Sequence, residues 1–268
     1  MRSWGAVLAG AVVLVASYLP GFGWGEAAGA LVVAGAMGLI VARSRAAGPA
    51  LVVMVAGLYF VVSYGVNIPE AVVFDVMPAK TAPTLLVRSL LIGVVAATVV
   101  VWVAGRLRQS AAAPGAVVPI DTAWRLFWRL AATVAVFIAC YFVAGALVYP
   151  FVKAYYAGRA MPQWSVMVAM QVLRSLALLG AAYPLLRTFG SRRDAVLVLG
   201  VVLPLFGAIA PMLPSNTIMP PMIRLAHTLE TAPYLALFGV LLAIWFGPPR
   251  RRGAAVPAAT PAIEVVTA

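Results

Sequence analysis

Residues 83–104 read PTLLVRSLLIGVVAATVVVWVA, a stretch whose single charge is Arg88. A bilayer core about 30 Å thick is crossed by about 20 apolar residues rising 1.5 Å each, so this run predicts a spanning helix. Outward from it the same texture recurs. Runs at 4–20, 27–44, 48–66, 128–148, 166–186, 194–214 and 231–247 match it in length or nearly so, all rich in Val, Ala, Leu and Gly. In water that mixture is ambiguous between helix and strand. In lipid it is not, because each segment must bond its own backbone, and barrel strands would alternate over about ten residues. The predicted fold class is therefore all-α: a polytopic transmembrane helical bundle of about eight spanning helices.

Composition agrees. The 268 residues are 64% hydrophobic and only 10% charged, with a mean hydropathy of +1.04. A soluble domain carries about 25% charged residues, and no single soluble core hides so large a deficit. The net charge of +12 does not point to nucleic acid, since the basic residues are scattered between apolar runs and form no phosphate-tracking face. The expected partner is the lipid bilayer, with no nucleic acid. The lone cysteine, Cys140, lies mid-run and reads as a small buried hydrophobe.

The basic residues instead report orientation. With the N-terminus inside, one side collects Arg2, Arg43, Arg45, Arg106, Arg108, Arg125, Arg129, Arg187, Arg192, Arg193 and Arg250, Arg251 and Arg252. The other side keeps Lys80, Arg88, Lys153, Arg159, Arg174 and Arg224. Both termini are predicted to be cytoplasmic, in a bacterial-type inner membrane. Residues 4–20 are read as an uncleaved first helix, because SYLPGFGWGE offers no clean small-x-small cleavage site. Residues 1–247 form one transmembrane domain. The stretch 105–124 is a cytoplasmic loop between two four-helix halves, and 248–268 is a disordered tail. Trp124, Arg125, Trp128 and Arg129 read as an interfacial collar. A weak internal repeat pairs YFVVSYG (59–65) with YFVAGAL (141–147) and VRSLLIG (87–93) with LRSLALLG (173–180).

Ionisable groups inside spans are costly and usually face the bundle interior. Here they gather toward one end: Glu70 after the third run, Arg88 in the fourth, Arg174 with Gln171 in the sixth, and RLAHTLE (224–230) before the eighth. Arg224, His227 and Glu230 share one helical stripe that Tyr234 continues. Prolines mark the same level: Pro69, Pro150, Pro220, Pro221 and Pro233 predict broken backbone there. They suggest a separate short helix over 221–230 and a broken or re-entrant piece over 67–80. Asn67 and Asp75 join Gln171 and Tyr234 as secondary candidates.

Three readings of this set follow. In the first, the charges are helix-register salt bridges, Glu70 with Arg88 and Glu230 with Arg174 or Arg224. In the second, Glu70, Arg88, Arg174, Arg224, His227 and Glu230 line an outward-facing pocket that binds or transports a small anionic or amphiphilic ligand. In the third, His227 and Glu230 act as catalytic acid and base, or His227, Glu230 and Glu70 hold a divalent metal. The metal reading is thin: the chain has one histidine, whereas bond-cutting metal sites use three good ligands. No cofactor is predicted. The sequence contains no GxSxG, P-loop, HExxH or CxxC pattern, and the expectation leans to the pocket rather than to an enzyme. The orientation is checked with reporter fusions. One placed after residue 249 is expected to report from the cytoplasm and one inserted at 157–163 from the opposite side; the reverse pattern inverts the assignment.

Overall fold

The computed structural model describes residues 2–16, 23–109, 122–159, 161–215 and 219–249. The eight apolar runs become eight helices: α1 (Arg2–Ala16), α2 (Trp24–Arg43), α3 (Gly48–Val73), α4 (Ala82–Val103), α5 (Ala123–Tyr156), α6 (Trp164–Leu186), α7 (Arg192–Met212) and α8 (Pro221–Phe246). Among the described residues seven are long and apolar enough to cross a membrane, and α1 is a shorter apolar helix. This is a multi-pass membrane protein. Residues 110–121 of the expected loop and 250–268 of the expected tail lie outside the described residues.

The breaks expected at Pro150 and Pro233 are corrected, since a helix runs through each proline. Residues 221–230 are not a separate helix: α8 runs unbroken through Pro233. The proline sits on the exposed face, and ending the helix there would strand further backbone groups where no water replaces them. The break expected over 67–80 is present. The chain stays helical to Val73, turns, and restarts through a single 3-10 turn at Ala79–Thr81.

Two spans are irregular in the same way. α3 contains a π-helical turn at Val61–Gly65, followed by Pro69. α7 contains another at Leu205–Ile209, followed by Pro211. A π turn shifts the hydrogen-bond register by one residue, and a proline downstream supplies no N–H, so carbonyls are left over. The chain caps them with side chains. Asn67 Nδ2 donates to the Val62 and Ser63 carbonyls, at 3.1 Å each. Ser63 Oγ crosses to the Phe206 carbonyl of the other π turn at 2.9 Å. The two π turns therefore touch, at the centre of the bundle.

The neighbours around that point form a repeated pattern. α1 packs along α2 and α4, and α3 along α4; in the second half α5 packs along α6 and α8, and α7 along α8. The halves meet through α3 against α6 and α2 against α7. Exchanging the first four helices for the last four maps each of these contacts onto another, as in a duplicated four-helix unit. Packing thus pairs α3 with α7 and α4 with α8. The similar sequence words at 59–65 and 141–147, and at 87–93 and 173–180, pair α3 with α5 and α4 with α6, a different pairing.

Lipid provides no hydrophobic drive between helices, and close backbone approach through small residues takes its place. Gly239 of α8 lies where a Cβ would run into the Leu199 carbonyl of α7, and a Cβ on Gly25 of α2 would run into the Leu213 carbonyl. At the arginine-rich end, Arg106 donates to the carbonyls of Ser44 (3.0 Å) and Ala46 (2.7 Å). There Arg43 also pairs with Asp194 at 2.9 Å. Gly239→Ala is expected to lower stability by about 1–3 kcal/mol through overpacking. Gly35, where an added Cβ would meet nothing within 4 Å, should tolerate alanine without loss. Unfolding midpoints in an SDS titration measure both.

Candidate functional site

The site begins with a backbone repair. Asn67 is held in place because its amide caps the π turn of α3, and its Oδ1 is thereby turned toward α6, where it accepts from Arg174 Nη2 at 2.7 Å. One helical turn further along α3, Glu70 is ion-paired with Arg174 Nη1. Gln171, one turn from Arg174 on α6, donates through Nε2 to Glu70 Oε1 at 3.5 Å. Asn67, Glu70, Gln171 and Arg174 thus form one network across the α3–α6 seam.

Burial raises its cost. Arg174 is 5% exposed and Gln171 is 0% exposed. Arg174 stands ten residues into α6 from Trp164, about 15 Å along the axis at 1.5 Å per residue. A guanidinium at that depth persists only with close partners. Satisfaction is incomplete even so: Gln171 Oε1 and Arg174 Nε are buried and have no hydrogen-bond partner. The seam therefore holds one bare acceptor and one bare donor.

The second part of the site is on α8. His227 Nδ1 lies 3.1 Å from Glu230 Oε2, with side chains 31% and 14% exposed. Glu230 approaches α5 where that helix carries no side chain: Oε1 is 3.4 Å from the position a Cβ on Gly145 would take. Glu70 and Arg174 lie within electrostatic range of His227. Tyr234 is buried one turn beyond Glu230, its ring 6.3 Å from that of Tyr141 on α5. Both tyrosines feel Glu70, Arg174 and Glu230 electrostatically. A cavity of about 20 Å³ adjoins the π turn of α3 at Ser63 and Tyr64, with Ala210 and Pro211 of α7 opposite, room for a single water.

The remaining sequence candidates lie elsewhere. Arg224, expected on the stripe with His227, turns to the end of α7 and donates to the carbonyls of Met212, Leu213 and Pro214. Arg88 is exposed on α4, in a surface groove of about 710 Å³ with Pro83, Thr84, Val87, Leu91 and Ile92. That groove is the larger cavity, but it is apolar, opens away from the bundle, and contains none of the four network residues. Asp75 is exposed, in the left-handed region with φ 52°, and its carbonyl accepts from Arg159 Nη1 at 2.8 Å. The expected Glu70–Arg88 pair is replaced by Glu70–Arg174, and Glu230 takes His227 rather than an arginine. Among the described residues no three His, Cys, Asp or Glu side chains assemble as a metal would need, so Glu70, His227 and Glu230 are not a common ligand set.

Tyr141, Ser63 and Glu26 were not singled out from the sequence. Tyr141 and Gly145 stand four apart on α5, one face of a helix, which was the available signal. Glu26 is buried at the start of α2 with Ser215 Oγ 3.4 Å from its Oε1. With Arg88 and Arg224 placed elsewhere, the buried and half-buried set has two carboxylates, one guanidinium and one titratable ring, so its surplus charge is not positive.

Comparison of the chain with known protein families, with curated proteins and with solved structures finds no match.

Removing one partner of a buried ion pair costs about 3–5 kcal/mol. Arg174→Gln and Glu70→Gln should each destabilise by that order, and the double variant by clearly less than their sum. A double-mutant cycle on SDS unfolding midpoints checks this, and additive losses would contradict the pairing.

Proposed function

We propose that this multi-pass membrane protein is a carrier that takes a small polar solute, neutral or positively charged, along the seam between α3 and α6. The observation that supports this most directly is the pair of buried, unpartnered atoms there, Gln171 Oε1 and Arg174 Nε. Buried polar groups in native folds usually have a partner, and a solute entering the seam would meet these two bare atoms; the Nε atoms of Arg106 and Arg224, bare as well, belong to side chains that cap backbone carbonyls. The π turns support the same reading, since such turns concentrate at functional sites. The solute's sign follows from the surrounding charge, Glu70 and Glu230 against Arg174, with His227 titratable. An anionic ligand would require Arg88 and Arg224 to turn inward. The enzyme reading is left with His227 and Glu230 alone. We take the membrane to be a bacterial inner membrane with both ends cytoplasmic, supported by the distribution of arginines.

A second reading has its own observation: the Glu70–Arg174 pair alone would fix the register of α3 against α6. One experiment separates the two. Thermal unfolding of purified protein in detergent is followed with choline, spermidine, glucose, acetate and phosphate. The carrier reading expects choline, spermidine or glucose to stabilise the parent, by about 2.7 kcal/mol at a hundredfold excess over Kd. It also expects Gln171→Leu, which keeps the ion pair, to abolish the effect. Stabilisation by acetate or phosphate alone reverses the sign of the solute. No response to any of the five supports the structural reading.

A further inference from the structure

We propose that His227 and Glu230 form a proton-binding site, taking up one proton at His227 Nε2 and releasing it as the carrier changes state. The charges lead to this. Glu70 is committed to Arg174, so that pair is neutral as a unit. Glu230 has an imidazole beside it, and a neutral ring next to an ionised carboxylate leaves one uncompensated negative charge inside the membrane. Adding one proton removes that charge without moving any atom between helices. Bare charge at this depth is expensive, so the occupancy of the pair is tied to whatever exposes or buries it.

The geometry gives the proton a place to land. Nδ1 is engaged by Glu230 Oε2 at 3.1 Å, which fixes a tautomer with Nδ1–H donating to the carboxylate. Nε2 remains as the atom that gains or loses a proton, on a side chain that is half-buried rather than sealed in the bundle. No covalent step beyond protonation is involved: one N–H bond forms, and the imidazole becomes imidazolium. The charged and titratable groups acting on the pair come from each side. They are Glu70 from α3, Arg174 from α6, Tyr141 and Tyr156 from α5, and Tyr234 on α8 itself. Glu230 lies against α5 beside Gly145, so a shift of α5 relative to α8 changes the surroundings of the carboxylate directly.

Proton binding as such is independent of transport; its coupling to a solute rests on the carrier reading above, and the test keeps the two apart. His227 is the chain's only histidine. Protein labelled with ¹⁵N-histidine and purified on a histidine-free tag therefore gives one imidazole signal. The expected result is a single titration between pH 5 and 8 whose midpoint moves by about one unit or more in Glu230→Gln, as loss of an adjacent charge requires. A ring that does not titrate between pH 5 and 9, or a midpoint unmoved by Glu230→Gln, overturns the proton site. Gly145→Ala, which leaves both groups in place, should also shift the midpoint if α5 covers the carboxylate. Coupling is read from the choline titration repeated on either side of the midpoint: a change in apparent Kd of about tenfold is expected, and an unchanged Kd overturns coupling. A titrating ring in a protein that no solute stabilises would leave the proton site standing and remove the carrier.

Discussion

Inside a bilayer every carbonyl that a helix fails to bond must be met by another part of the chain, and this protein is organised around four such repairs. Asn67 caps the π turn of α3, Ser63 caps that of α7, Arg106 closes the α2–α3 turn, and Arg224 closes the end of α7. The repairs also build the interior. Because Asn67 commits its amide to backbone, its remaining oxygen has one direction open to it, and that direction holds Arg174. The guanidinium in turn holds Glu70. A local defect in one helix is thus converted into a link to a second helix, and the polar network exists because the backbone of α3 is irregular.

The repeated packing gives this link a counterpart. α3 meets α6 and α2 meets α7 in corresponding ways, but the two seams differ in chemistry. At α2–α7 the backbones touch: a Cβ on Gly29 would lie 3.2 Å from the Ala210 carbonyl. The charge nearby, Glu26, sits in the first turn of α2, where the helix N-terminus favours a carboxylate. At α3–α6 side chains fill the gap, with one acceptor and one donor left over. Of two corresponding joints, one is sealed by glycine and the other kept polar.

The apolar runs made the fold legible in the sequence, because lipid leaves few alternatives for backbone that long. Where ionisable groups gather was also legible: Glu70, Arg174, His227 and Glu230 do lie near one another. What the sequence does not carry is the rotation of each helix about its axis. VRSLL in α4 and LRSLA in α6 read alike, yet Arg88 faces outward and Arg174 inward. A shared stripe was likewise no guide for α8, since the reach of an arginine side chain let Arg224 leave its neighbours for the carbonyls of α7. The π turns gave no compositional signal beyond the prolines that follow them. Those prolines invite the reading of a broken chain, whereas the register shift lets the helix continue.

α5 stands apart from this arrangement. Its 34 residues make a rod about 51 Å long at 1.5 Å per residue, against a hydrocarbon layer of about 30 Å. Little of it is covered by protein: Val143, Leu147 and Phe151 all face outward. A helix longer than the layer it crosses meets the mismatch by tilting or kinking, within what its packing against neighbouring helices allows. Where α5 meets α8, Gly145 lies beside Glu230. A change in that tilt would therefore reach the surroundings of Glu230, through a helix whose neighbouring position carries no side chain.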